Sequence, residues 1–180
     1  MSSIEHLVVM GVSGVGKTTV AERLSAHFSW PFADADDFHP AANVAKMASG
    51  LPLTSLDREP WLRSVRTWMD DRAEFGESTI VACSALRRDY RRTLGDGPGS
   101  IVFIHLAGDA EAITERIGAR SGHFMPASLL DSQFGDLEPL AADEPGITID
   151  VSQPVDVVVR RILDFLETTT TVEAIDNASA

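Results

Sequence analysis

The run Gly11-Val12-Ser13-Gly14-Val15-Gly16-Lys17-Thr18 constrains this chain more than any other segment. It meets the pattern G-x-x-x-x-G-K-[ST] at every fixed position. It also stands between an apolar run at 7–10 and a helical pattern over 17–28, the strand–loop–helix context that makes the pattern specific. The residue types follow from the chemistry. Gly11, Gly14 and Gly16 let backbone N–H groups turn inward around an anion, and Ser13, Val15 and Thr19 belong to the same N–H-rich arc. The start of the helix adds the positive end of its dipole. Lys17 has the reach for terminal phosphates, and the Thr18 hydroxyl suits a Mg²⁺ ion. A glycine-rich turn that binds nothing would explain the glycines but not the Lys17-Thr18 pair.

The rest of the chain repeats the strand-then-helix rhythm. Strands are expected at 7–10, 30–35, 78–83, 100–106 and 147–151, and helices at 17–28, 40–48, 57–75, 86–94, 109–120 and 154–167. Val20, Leu24 and Phe28 make one apolar helix face, Pro40 suits a first helical turn, and Asp57 reads as a cap with Pro60 inside the following turn. This alternation predicts an α/β fold, a five-stranded parallel sheet flanked by helices on both faces, and the loop at 11–18 makes the expected fold the P-loop kinase type. Such sheets bind ligands beyond the carboxyl ends of their strands, where every motif of this chain falls. One domain is expected over 1–167, with a mobile lid at about 121–131 carrying Gly122 and Pro126. A disordered tail is expected at 168–180, where periodicity fades.

The net charge of -12, from 27 acidic and 15 basic residues, argues against a nucleic-acid binder, whose surface would be basic. It does not exclude a small anion held by a local arginine cluster. Cys83 is the one cysteine, so no intrachain disulfide forms and a cytoplasmic setting is expected. The N-terminal apolar run lacks a basic flank and is too short for a signal peptide or membrane span, so no membrane partner is expected.

Transfer of a phosphoryl group requires an acceptor held in line and a base near it. Asp34 and Asp36 end the second expected strand, where the chain can turn both toward the cleft. One carboxylate would hold Mg²⁺ and the other would accept a hydroxyl proton, against the plainer reading of turn or capping aspartates. Arg116 and Arg120 lie i,i+4 on one helix face before Gly122-His123-Phe124 and read as lid cations over the phosphates, or as exposed helix arginines. Arg87, Arg88, Arg91 and Arg92 form a basic cluster from which one or two anion contacts are expected. Ser84 offers a hydroxyl or N–H at the rim, and Ser152-Gln153-Pro154 stands where an adenine pocket would form. Trp61 and Phe38 read as packing residues, Cys83 as a small buried one, and His39 as either a cap or a ligand.

Beyond the loop, the chain carries Asp34-Ala-Asp-Asp-Phe-His-Pro40, Asn43, Lys46-Met47-Ala-Ser-Gly50, Pro52-Leu53, Asp57-Arg58, Pro60-Trp61-Leu62, Cys83-Ser-Ala-Leu86, Tyr90-Arg91, Arg120 with Gly122-His-Phe124, Gln133-Phe134, Leu137-Glu138 and Glu144. On these it resembles the short, P-loop type of gluconokinase, relatives of the shikimate kinases. Arg87-Arg88 and Glu59 depart from the more usual pattern. The resemblance implies ATP and D-gluconate as substrates, 6-phosphogluconate and ADP as products, and a homodimer. It implies Lys17, Asp36 and Arg120 in catalysis, Thr18 and Asp34 near the metal, and Asp36, Arg58, Ser84, Arg88 and His123 around gluconate. The nucleotide would be met by Gly11, Ser13, Gly14, Val15, Gly16, Lys17, Thr18, Thr19, Arg116, Gln153 and Pro154. Arg58 would grip the acceptor carboxylate, since a planar fork fits two oxygens. Two alternatives stand beside this: a small P-loop kinase for shikimate, a nucleotide or another sugar acid, and a nucleotide-binding regulator that would leave Asp34, Asp36 and Arg58 without a task.

Overall fold

A computed structural model describes residues 4–118 and 127–178. Its strands are β1 (Ile4–Met10), β2 (Phe32–Asp34), β3 (Thr79–Ala82), β4 (Ser100–Ala107) and β5 (Gly146–Asp150). Its helices are α1 (Lys17–Phe28), α2 (Ala41–Ala48), α3 (Ser55–Glu74), α4 (Arg88–Gly95), α5 (Ala110–Gly118), α6 (Ala127–Asp136) and α7 (Val155–Ala178). The strands form one parallel sheet in the order β2-β3-β1-β4-β5. This is the expected architecture. β1 lies at the centre, with Leu7 in register with Ile80 on one side and Val102 on the other. The loop leaving β1 therefore opens where the strand order reverses, the place such sheets reserve for ligands.

Alternation along β1 assigns its side chains to two cores. Leu7 and Val9 join Val20, Ala21 and Leu24 of α1, Ile113 of α5, Leu130 of α6 and Val158 and Ile162 of α7. Val8 and Met10 join Trp61, Leu62, Val65 and Met69 of α3 and Tyr90 and Leu94 of α4. Both faces are covered, which is why β1 reads as a continuous apolar run rather than an alternating one.

Several boundaries differ from the sequence expectation, and α6 forms where no helix was expected; three of the differences have a visible cause. β2 is shorter than 30–35 because the chain leaves the ladder after Asp34, whose Oδ1 accepts from the Asp36 N–H at 3.1 Å to cap a 3₁₀ turn over Ala35–Phe38. The cap of α3 is Thr54, not Asp57. Thr54 Oγ1 accepts from the Asp57 N–H and the Asp57 carboxylate accepts from the Thr54 N–H, a reciprocal capping box. α7 runs past 167 to Ala178. The Thr168 and Thr169 hydroxyls donate back to the carbonyls of Asp164 and Phe165, so threonines that blur the periodicity still fit the helix. Within the expected lid, 127–131 is the start of α6, and 121–126 lies outside the described residues.

Candidate active site

The loop between β1 and α1 has the backbone its glycines require. Gly11, Gly14 and Gly16 all sit at positive φ. A Cβ at Gly11 would stand 2.6 Å from the Leu106 carbonyl oxygen, and one at Gly14 would stand 2.4 Å from Ile117 of α5. The loop is thus pressed against β4 and α5, with space only for bare backbone. Its first N–H, at Gly11, donates to the Ser84 carbonyl at 3.2 Å, which seats Ser84 at the loop's edge. Lys17 Nζ donates to the Val12 carbonyl at 3.0 Å, arching back over the loop. Burial pulls the Lys17 ammonium below its ordinary pKa, opposed by the charges of Asp36 and Asp34.

The acid pair gathers at this loop. Thr18 Oγ1 donates to Asp34 Oδ2 at 2.9 Å. A hydroxyl beside a carboxylate is an all-oxygen donor set, which fits Mg²⁺, an ion bound through few protein oxygens with phosphate and water completing its shell. Asp36 is open to solvent, with its side chain 84% exposed. The surrounding protein and then the Asp34 charge push its carboxyl upward, Lys17 pulls it down, and contact with solvent tempers both.

Behind Asp36 lies a rigid wall. Trp61 is 2% exposed and its indole N–H donates to the Ala35 carbonyl at 2.6 Å. His39 stacks on it, with ring centroids 4.1 Å apart and planes 18° from parallel. Asn43 bonds to His39 and to the Asp57 carbonyl. Asp57 also takes Lys46 Nζ at 2.6 Å, and the Lys46 and Thr54 bonds hold its carboxyl far below the usual range. His39 does not cap α2, whose N-cap is Pro40, but its backbone N–H closes the 3₁₀ turn on the Asp36 carbonyl at 3.3 Å. It is thus a cap by its backbone while its ring joins the wall, and Trp61 packs as expected.

Arg58, on the first turns of α3, has its side chain 14% exposed. Its Nη1 donates to the Tyr90 hydroxyl at 3.0 Å and its Nη2 lies 3.6 Å from Asp136 at the end of α6. Its sequence neighbours do not hold it: Asp57 is taken by Lys46 and Glu59 by Arg63.

The arginine cluster divides. Arg91 is buried, with Nε and Nη2 on the two Glu144 oxygens at 2.6 and 2.8 Å and Nη1 donating to the Ala85 carbonyl at 3.1 Å. It holds the 138–144 segment in place. Arg88 pairs with Asp143 and lines a cavity of about 590 Å³ together with Arg91, Arg92, Ile101 and Phe103. Its guanidinium is thus engaged away from Tyr90 and Arg58, which differs from the gluconate contact expected of it. Arg87 is the member whose guanidinium reaches the Tyr90 ring, at 5.7 Å, the ring Arg58 approaches at 5.3 Å.

A second cavity of about 460 Å³ is lined by Ala107, Gly108, Asp109, Ala112, Ile113, Asp150, Val151 and Ser152. Ile113 also sits 3.5 Å from the Gly14 Cβ position, so the cavity adjoins the loop. Gln153 and Pro154 follow directly on its Ser152 edge. Arg120 and His123 lie outside the described residues, as does the side chain of Arg116. Two residues beyond the expected set come to the site from α6: Asp136, and Gln133, whose Oε1 accepts from the Ser13 N–H at 2.6 Å. Among the described residues no helix is long and apolar enough to cross a membrane.

Comparison with known proteins places this geometry. The family described as shikimate kinase matches residues 13–167. A gluconokinase of Gluconobacter oxydans is 44% identical over 157 residues, covering 87% of this chain and 88% of that protein. Among solved structures, a gluconokinase from Sinorhizobium meliloti superposes with a TM-score of 0.86 at 38% identity, covering 95% of this chain and 96% of its own. A sugar kinase from Janibacter sp. superposes with a TM-score of 0.88 at 52% identity, covering 92% of this chain and 95% of that one.

Proposed function

The chain belongs to the shikimate kinase family of phosphotransferases, and from that premise we propose that it transfers the γ-phosphoryl group of ATP to the terminal hydroxyl of D-gluconate, giving 6-phospho-D-gluconate and ADP. The observation that carries this reading is a phosphate loop whose Thr18 and Lys17 meet Asp34 and Asp36, with Arg58 close enough to bear on His39 beside Asp36, in a chain 44% identical to a gluconokinase. A nucleotide-binding regulator needs no acceptor wall, and the wall here is built with care: Trp61, His39, Asn43, Asp57 and Lys46 brace one another behind Asp36.

The residues divide the work in this reading. Backbone N–H groups around Gly11, Ser13, Gly14, Val15 and Gly16, with Thr19 at the helix start, cradle the phosphates, and Lys17 swings from the Val12 carbonyl to the transferring group. Thr18 and Asp34 hold Mg²⁺, which when bound neutralises charge on the phosphate oxygens. Asp36 accepts the proton of the attacking hydroxyl. Arg58 fixes the gluconate carboxylate, with Arg87 beside it across Tyr90. Ser84 closes the cleft edge, and the cavity ending at Ser152, Gln153 and Pro154 receives the adenine. The protein acts in the cytoplasm, as one kinase domain per chain paired in a homodimer. Its single thiol, Cys83, is buried and pushed up to about 12 by burial, and takes no part in the chemistry.

The test is ADP release by the purified protein with gluconate, shikimate, other sugar acids and nucleoside monophosphates in turn. Gluconate-stimulated turnover well above every other acceptor is expected. Turnover that no acceptor stimulates would return the protein to the regulator class.

A further inference from the structure

His39 is the side chain of the acceptor wall that the reading above leaves without a task, and its surroundings define its chemical state. The amide of Asn43 has one end on the Asp57 carbonyl at 2.8 Å. A carbonyl only accepts, so that end is the NH₂ group. The same NH₂ group lies 3.3 Å from His39 Nδ1. An NH₂ group only donates, so Nδ1 is the acceptor and the ring proton resides on Nε2. Burial and then the Arg58 charge drive the imidazole down to about 4, so the ring is neutral near pH 7. Trp61 holds its plane, and the side chain is 4% exposed. Nε2–H is thus a fixed, neutral donor. Among the described residues its nearest carboxylate is Asp36, with Oδ1 at 3.9 Å, too far for a direct hydrogen bond.

That gap has the size of a bridging oxygen. An atom about 2.9 Å from both Nε2 and Oδ1, an ordinary hydrogen-bond length, bridges a 3.9 Å separation with an angle of roughly 84° at that atom, and moving the exposed Asp36 carboxylate outward by about 0.8 Å opens it to tetrahedral. Resting on the proposed role of Asp36, we infer that His39 orients the attacking hydroxyl of the acceptor, donating Nε2–H to it while the hydroxyl donates to Asp36. The hydroxyl has one hydrogen and two lone pairs. With the hydrogen on Asp36 and one lone pair on His39, the remaining lone pair has one direction left, toward the γ-phosphorus. As that O–P bond forms, the bond from phosphorus to the β–γ bridging oxygen breaks, ADP leaves with the electron pair, and the hydroxyl proton passes to Asp36. His39 keeps its own proton throughout.

Two substitutions separate the donor from the ring. His39→Phe keeps the stack on Trp61 and deletes Nε2–H, whereas His39→Gln can place an amide N–H near the Nε2 position and gives up the stack. The inference expects kcat with gluconate to fall roughly tenfold in His39→Phe, the scale of one neutral hydrogen bond, with KM for ATP unchanged. It expects His39→Gln to stay within about threefold of wild type. Nitrogen-resolved NMR of the unmutated protein should show the Nε2–H form, with the Nε2 signal moving when gluconate is added. The Nδ1–H form, or an Nε2 signal indifferent to gluconate, overturns the inference even if His39→Phe fails to fold. So does equal loss in both variants, which would make His39 a packing residue. If wild type turns over gluconate, Asp36→Asn is inactive and His39→Phe is within twofold of wild type, the His39 role fails alone. If wild type ignores gluconate, the underlying reading fails.

Discussion

Thr18 Oγ1 donates to Asp34 Oδ2 at 2.9 Å, tying the first turn of α1 to the carboxyl end of β2 across sixteen residues of sequence. Neither group needs the other for its backbone role: Thr18 is already in the helix, and Asp34 caps the next turn through its other oxygen. The pairing instead brings a hydroxyl and a carboxylate to the mouth of the phosphate loop.

Asp34→Asn therefore tests a metal role against a capping role. The amide oxygen can still accept from the Asp36 N–H, so the turn survives. Losing the charge is expected to raise the Mg²⁺ concentration for half-maximal turnover by about tenfold or more. A lowered melting temperature with an unchanged Mg²⁺ requirement would reassign Asp34 to the turn alone.

Lys17 Nζ donates to the Val12 carbonyl within its own loop in a part-buried position, and the lowering of its pKa by burial is opposed by Asp36 and Asp34. Lys17→Ala is expected to fold normally and lose about 3–4 kcal/mol of transition-state stabilisation, a few hundredfold in kcat. Turnover within tenfold of wild type would show that another cation does this work.

The phosphate loop, the five strands and the acid pair were legible because each is written in neighbouring residues: glycine spacing, apolar runs, acids at a strand end. Thr54-Ser55-Leu56-Asp57 was equally local, a threonine three residues before an acid, and reading Asp57 as the cap overlooked that reciprocal pattern. What sequence could not supply was long-range pairing. Gln133 reaches Ser13 across 120 residues and Arg91 reaches Glu144 across 53. Nothing local distinguishes Arg87, beside the Tyr90 ring, from Arg88, which turns to Asp143. Helix phase on α4 and the placement of the 138–144 segment decide it.

Buried neutral histidine gives a pH prediction. His6 is fully buried in β1, Nδ1 sharing a hydrogen with Thr79 Oγ1 at 2.8 Å, and burial followed by the Arg66 charge lowers it to about 4 against the opposing Asp70. The unfolded chain protonates near pH 6.5 while the folded one does not, so below that pH the unfolded state binds more protons and gains on the folded one. Stability is expected to fall from pH 6.5 toward 4, with His6 contributing on the order of 3 kcal/mol of the loss by pH 4. In urea titrations His6→Leu should flatten that slope. An unchanged slope would show that His6 is protonated in the fold.

Arg58 is the sharpest handle on the acceptor. Gluconate carries its carboxylate at one end and the reacting hydroxyl at the other, so fixing the carboxylate sets the distance to phosphorus. Arg58 has the means: one nitrogen is braced by Tyr90 at 3.0 Å, while its contact to Asp136 at 3.6 Å is looser than a hydrogen bond, leaving that edge of the fork open to a competing anion. Lysine restores the charge but not the fork. Arg58→Lys is expected to raise KM for gluconate by ten- to over a hundredfold, about 1.5–3 kcal/mol, with KM for ATP little changed. The rival view is that Arg58 merely ties α3 to Tyr90 and α6. Tyr90→Phe separates the two, because it removes the hydroxyl that accepts from Arg58 and leaves the guanidinium in place. A structural tie predicts that Tyr90→Phe and Arg58→Lys lower the melting temperature alike and leave KM for gluconate alone. A carboxylate grip predicts that Arg58→Lys raises KM far more than Tyr90→Phe does, at comparable melting temperatures. If Arg58→Lys keeps gluconate KM within twofold, the grip belongs elsewhere, and Arg87, on the same Tyr90 ring, is the next residue to replace.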